Sequence, residues 1–244
     1  MARGADGHVI IDTALNNKGF IRGIQALTGQ TGGLQAAVKR LGGAIVTAFA
    51  VKGVVDFGRR AVQLGSDMAE VQNVVDVAFG ELRGQAEDFA GTAIAQFGMS
   101  TLAAKKTAST YMAMARGMGI ANQEAADMAV TLAGLSGDVA SFFNISQELA
   151  DVKLKSVFTG ETETLKDLGV VMTQDNLKAY ALSKGFKKSY DAMGQAEKVA
   201  LRYQFVLDSL ALASGDFART QDSWANQTRI LSMQWQEFMG ILGQ

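Results

Sequence analysis

The residues best suited to chemistry in this 244-residue chain are the carboxylates of the run TGETETLKDLG: Glu161, Glu163 and Asp167. On a helix, Glu163 and Asp167 would share one face, and paired carboxylates serve acid–base catalysis or bind a hard cation. Acids in the first turn of a helix are also favoured by its dipole, which accounts for them without any activity. His8 is the single histidine, and there is no cysteine. These counts remove Cys-based zinc sites, iron–sulfur ligation, disulfides and thiol catalysis, and nearly exclude His-based metal sites and Ser–His nucleophiles. Neither a GxxxxGK[ST] run nor a strand followed by GxGxxG is present, so no phosphate cradle is indicated. Lys187 and Lys188 beside Tyr190 make a basic–aromatic spot far too small for nucleic acid. The chain therefore reads as a non-enzyme with no catalytic, cofactor-binding or metal residues, no cofactor and no small-molecule substrate.

The elements that would carry any site are helices. There is no proline, where average usage would supply roughly 12, so nothing in the chain must break a helix. Hydrophobic residues make up 48% and charged residues 19%, enough apolar material for a packed core. The net charge of −1 favours no class of partner, but its distribution is uneven. Residues 1–60 carry eight Lys/Arg against three Asp/Glu, whereas residues 61–152 carry four against eleven. Solvated faces explain this; the sharper alternative is that a basic end and an acidic middle meet each other or a neighbouring copy.

One segment reads as strand, His8–Thr13. The apolar stretch Leu41–Val51, extendable to Val55, is short of the roughly 17–25 residues that span a bilayer and reads as buried helix. From Ala50, apolar residues recur at spacings of 4 and 3: Ala50, Val54, Phe57, Ala61, Leu64, Met68, Val71, Val75, Ala78 and Leu82. This heptad seam predicts one long helix, with a possible kink where Gly65 precedes Asp67 and Glu70. Gly53, Gly58 and Gly65 beside the seam suit a close backbone approach. Shorter helices follow: Ser100 capping 101–116, Asn122 capping a helix to about Phe143, Ser146 capping 147–158, Thr173 capping 174–184, and a helix over 195–213. Met99, Met112, Met114, Met118 and Met128 read as gap-fillers of a core. A second stripe joins Phe217, Trp224, Leu231 and Phe238 with Thr228, Trp235 and Leu242; aromatic stripes are usually core, and Trp is also enriched where partners dock. The predicted fold is all-α, a multi-helix bundle with one or two long helices and a short N-terminal β-strand. Its divisions are 1–49 (strand and first helix), 50–98 (long heptad-like helix), 99–215 (shorter helices) and 216–244 (C-terminal aromatic helix). Helix–helix interaction is assigned to Ala50, Val54, Phe57, Leu64, Met68, Val71, Val75, Leu82, Trp224, Leu231, Trp235 and Phe238.

Several stretches resemble the N-terminal region of phage tail tape measure proteins, also called tail-length or minor tail proteins. They are DGHVIIDTALNNKGFIRGI, VQLGSDMAEVQNVVDVAFG, TAIAQFGMSTLAAKK, DVASFFNISQELADVKLKSVFTGETETLKDLGVVMTQDNL and GDFARTQDSWANQTRILSMQWQEFMGILGQ. They run in order through nearly the whole chain and name no catalytic residue. The resemblance implies a virion component in the lumen of a phage or prophage tail, made in the bacterial cytoplasm. Tube protein polymerises around such proteins, which set tail length and leave through the tip during genome delivery. Implied partners are further copies of the chain, tail tube protein, tail assembly chaperones and tail tip proteins, with transient host membrane contact. Family members are usually far longer. A fully helical 244-mer would reach only about 370 Å, so the expectation is an N-terminal module or a truncated product, not the measuring rod. A membrane-active helical protein, resting on Leu41–Val55, is the alternative.

Overall fold

A computed structural model of the protein describes the backbone of residues 51–243, with side chains from Phe57 onward. The expected strand at His8–Thr13, the run Leu41–Val51 apart from its last backbone residue, Ala50 and the Val54 side chain lie outside these described residues. The chain divides into two units, Met1–Asp56 and Phe57–Gln244, and the second is described here by itself. All of its regular structure is helical, and none of the described helices is long and apolar enough to cross a membrane.

Helix α1 (Val51–Phe79) runs unbroken past Gly65, so Asp67 and Glu70 start no new helix. It stops instead at Gly80, whose φ of +57° is left-handed and cannot continue a right-handed helix. A 3-10 turn, Gly80–Leu82, leads into α2 (Arg83–Phe97). The single helix expected over 50–98 is thus two helices. Leu82 leaves the seam, and its side chain packs half-buried against the main core.

The next helices follow their caps. α3 (Thr101–Gly117) begins where Ser100 Oγ accepts from the Ala103 amide at 3.2 Å. α4 (Asn122–Phe142) starts one residue earlier than expected, with Ala121 at the cap and Asn122 as its first helical residue. Ser146 Oγ caps α5 (Gln147–Leu154) at the Leu149 amide, but the chain breaks at Lys155 before the short α6 (Ser156–Thr159), where one helix had been read. Thr173 caps α7 (Gln174–Ser183), which ends at Gly185 with φ +77°. α8 (Gln195–Ser209) is opened by Glu197, whose carboxylate accepts from the Gly194 amide at 2.7 Å, and it stops four residues short of Ala213. The C-terminal stripe is likewise divided between α9 (Asp216–Thr220) and α10 (Trp224–Leu242), the latter capped by Ser223.

The core is built around α4. Residues 132–140 are buried without interruption, the pattern of a helix covered on every side. Two glycines let α2 settle onto it. A Cβ on Gly134 would lie 2.9 Å from the Phe97 ring, and one on Gly137 would overlap the Phe97 carbonyl oxygen. Met99, Met112 and Met128 are buried here, while Met114 and Met118 sit half-covered at the edge. A polar network crosses the interior. Asp151 accepts from Thr107 Oγ1 at 2.7 Å and from Gln147 Nε2 at 3.0 Å, and Gln147 also donates to Ser136 Oγ at 2.7 Å. Tyr111 donates its hydroxyl to the Asp151 carbonyl at 3.0 Å, and burial pushes that phenol well above its ordinary pKa.

Asp138 fastens the last part of the chain to this core. It lies near the C-terminal end of α4, 2% exposed, and accepts from the amides of Gly215 at 2.7 Å and Phe217 at 3.2 Å. Ser141, one turn on, donates to Asp216 at 2.7 Å. The Phe217 ring is fully buried in a slot left open by Gly98, where any Cβ would overlap the ring.

Candidate functional site

The two apolar seams meet each other. The Phe57 and Trp235 rings lie 6.4 Å apart by centroid, and Trp235 and Phe238 lie 5.5 Å apart, so three aromatic rings run from the start of α1 across α10. The closest backbone approach comes from α10. A Cβ on Gly240 would overlap Met68 Sδ and sit 3.7 Å from Leu64 Cβ, and one on Gly243 would overlap the Ala61 carbonyl oxygen. Position beside the seam suggests Gly53, Gly58 and Gly65 of α1 for this role, but a Cβ on Gly58 would meet only open space. Small residues at i and i+3 near the end of α10, Gly240 and Gly243, were the missed signal, because a pair at that spacing clears one helix face.

Along α1, Ala61, Val75 and Ala78 are buried, while Phe57, Leu64, Met68 and Val71 are half-covered. The C-terminal end of α1 is tied to α3 by Arg116, which donates to the Ala78 carbonyl at 3.0 Å, the favoured place for a cation. Gln72 and Glu87 both contact Lys105 Nζ, at 2.6 Å each, and these contacts hold the Glu87 carboxyl below its ordinary value against the opposing effect of burial.

α10 is fixed at its other side by Glu237, whose Oε1 accepts from the Thr101 amide at 2.9 Å. That carboxylate sits at the N-terminus of α3, where free N–H groups and the helix dipole favour an anion. Met233 and Met239 are buried beside it. The aromatic stripe itself is not core: Trp224 is 58% exposed and Trp235 46% exposed, with Leu231 and Phe238 half-covered. The structure therefore joins Phe57, Leu64, Met68, Trp235 and Phe238 into one neighbourhood. Leu82 lies in the turn after α1, and Trp224 stands at the opposite end of α10. What this arrangement offers is a half-exposed aromatic surface on a helix tied to α3 through Glu237.

The acidic run of the sequence resolves differently. Glu163 lies outside any helix, and Asp167 sits in a 3-10 turn, Lys166–Leu168, so no shared helix face forms. Each carboxylate is held by a lysine: Glu163 by Lys166 at 2.7 Å and Asp167 by the buried Lys153 at 2.8 Å. Those lysine contacts lower both pKa values, which suits ion pairing and leaves neither group poised as an acid. Among the described residues, no group of three or more His, Asp or Glu could hold a metal ion.

Two adjoining grooves run beside α2 and α4. The first, about 440 Å³, is lined by Gln85, Asp88, Thr92 and Asp127. The second, about 570 Å³, is lined by Phe97, Val130, Leu207 and Ala211. No protein-family model, curated protein or solved structure matches the chain.

Proposed function

We propose that this chain is the N-terminal part of a phage or prophage tail tape measure protein. In this reading it is a non-enzymatic virion component acting in tail assembly, length determination and genome delivery from within the tail lumen. The observation that carries the reading is the ordered resemblance of five segments across the sequence, from DGHVIIDTALNNKGFIRGI to the aromatic run before Gln244. The helical architecture is compatible with it, and the anchored aromatic surface of α1 and α10 gives neighbouring copies a place to pack. The reading includes a multi-helix bundle for the described part, a short strand at His8–Thr13, self-association, and contacts with tail tube, chaperone and tip proteins.

The test is to purify particles from the source bacterium and probe them with antibodies against residues 99–215. Detection only after the tubes are opened is the expected result. Intact, fully assembled tails that lack the protein would overturn the proposal.

A further inference from the structure

The two grooves beside α2 and α4 are continuous, because Phe89, Phe97, Val130 and Thr131 line both. Together they make one valley lined by α2, by α4 and, at one end, by α8 with the turn that follows it. Along α4 the valley runs from Asp127 to Asp138, about 16 Å or three helical turns at ~1.5 Å per residue. Its halves, about 440 and 570 Å³, are each of the size that holds a ligand group, roughly 300–1,000 Å³. Small residues create the hollow. Gly134 lets the Phe97 ring lie against the α4 backbone, and Ala211 and Ser214 line the far end beyond Leu207. The Phe97 ring packs on Phe89 at 5.5 Å by centroid, and Phe97, Val130 and Leu207 stay half-covered.

The two ends of the valley differ in chemistry. Among the described residues that line it, the charged side chains are all carboxylates. Asp88 and Asp127 stand exposed at one end, among Gln85, Thr92 and Gln96. Asp127 accepts from the neutral amides of Gln123 at 2.9 Å and Gln85 at 3.4 Å. A carboxylate offers about four acceptor positions, so it has room for a cation as well. The other end is apolar, walled by Phe97, Val130, Leu135 and Leu207. Its single carboxylate, Asp138, is directed to the amides of Gly215 and Phe217. Every element lining the valley is a helix or a turn, so it offers no strand edge to an extended peptide. A furrow between helices instead suits the side-chain ridge of another helix.

We propose that this valley docks a basic amphipathic helix of a protein partner, about three turns long. A Lys or Arg of that helix meets Asp88 and Asp127, and apolar side chains at i and i+3 or i+4 enter the end walled by Phe97 and Leu207. Charge complementarity sets the orientation, and the buried apolar face supplies most of the affinity. The test selects a random library of displayed peptides of about 12 residues, three turns of helix, against the full chain. Counter-selection uses A211W, in which an indole on the exposed Ala211 fills the apolar end. The enriched peptides are expected to carry Lys or Arg beside apolar residues at helical spacing. Made synthetically with a fluorophore, they bind the full chain saturably by anisotropy. D88N/D127N, two exposed and conservative changes, weakens them severalfold and removes most of the salt dependence. Replacing one apolar anchor of a peptide by Ala weakens it about tenfold. Circular dichroism checks that both variants fold, and D88N/D127N carries the test by itself if A211W does not. Enrichment of acidic, uncharged or non-helical peptides overturns the proposal. So does unchanged affinity for D88N/D127N, or the absence of any saturable binder.

Discussion

Replacing Asp138 tests the fastening of α9 to the core, because its carboxylate is the sole described acceptor for the Gly215 and Phe217 amides. D138A leaves both N–H groups without this partner, Phe217 in a buried position and Gly215 in a part-buried one. A fully buried orphan costs about 1–3 kcal/mol, or at most about 2–6 kcal/mol for the pair. For a folded unit of this size that lowers Tm by roughly 4–24 °C. D138N keeps an acceptor oxygen and buries no charge, so its loss at neutral pH should stay within about 1.5 kcal/mol. The pH dependence has a definite sign. Burial raises the Asp138 pKa, aided by nearby Asp216 and opposed by the two amides and Arg219. A raised folded-state value means that the native chain binds the proton more tightly than the unfolded one. The stability so contributed is complete below the unfolded value of about 3.9 and is lost as pH rises through the folded value. The advantage of wild type over D138N should therefore shrink between mildly acid and neutral pH. Urea unfolding at several pH values gives this difference, and hydrogen exchange at Gly215 and Phe217 reports the latch locally. The reasoning fails if D138N is as damaging as D138A at neutral pH, or if the wild-type advantage grows as pH rises.

Four further outcomes are expected. Gly98→Ala forces a side chain into a left-handed position and into the Phe217 ring, for a loss of at least about 2 kcal/mol. Gly58→Ala, in open space on α1, should stabilise by about 0.5–1 kcal/mol; calorimetry on both variants checks the contrast, and two similar effects would count against the packing described. Asp167→Asn removes the counter-charge of the buried Lys153 ammonium, which keeps its bond to the Thr164 carbonyl. Because Lys153 lowers the Asp167 pKa, the stability at stake is present above the unfolded carboxylate value and fades as pH falls through the folded one. Acid unfolding of D167N should accordingly be less steep than wild type. In the tape-measure reading, deleting residues 99–215 from the full-length protein should shorten tails by far less than the roughly 175 Å that an extended helix would give at ~1.5 Å per residue. Electron microscopy of tail lengths decides this, and strict proportionality would show that these helices are part of the ruler.

Much of the helical layout was legible because helix starts are local events. Ser100, Ser146 and Thr173 were read as caps from their own side chains, and each accepts the expected amide two or three positions into its helix. Stops were harder to read. Gly80 and Gly65 look alike in sequence, yet the first takes a left-handed φ and breaks the seam while the second stays within α1. Which glycine turns depends on whether the next segment gains by folding back, and α2 gains by resting Phe97 on Gly134 and Gly137. The same limit applied to Lys155, where α5 gives way to α6 inside a run that had been read as one helix.

The candidate surface was half legible. Seven-residue spacing marked the aromatic positions of α10, but spacing alone does not say which side of a helix finds a neighbour. The side that does is the one carrying Met233, Glu237 and Gly240, and Trp224 and Trp235 are left largely exposed. Nor could spacing show that Glu163 and Asp167 would each be held by a lysine, since Lys153 reaches Asp167 across a fold in the chain.

By itself, the amino-acid sequence determined that this protein is helical and that the usual chemistries of cysteine and paired histidines are closed to it. It also marked most of the helix starts and two apolar seams. Those properties depend on residue type and on contacts within a turn or two. The tertiary structure decided where helices stop, which seam residues are covered, and how acids and lysines pair. Such outcomes depend on segments distant in sequence competing for the same volume and the same hydrogen bonds, and no local pattern encodes that competition.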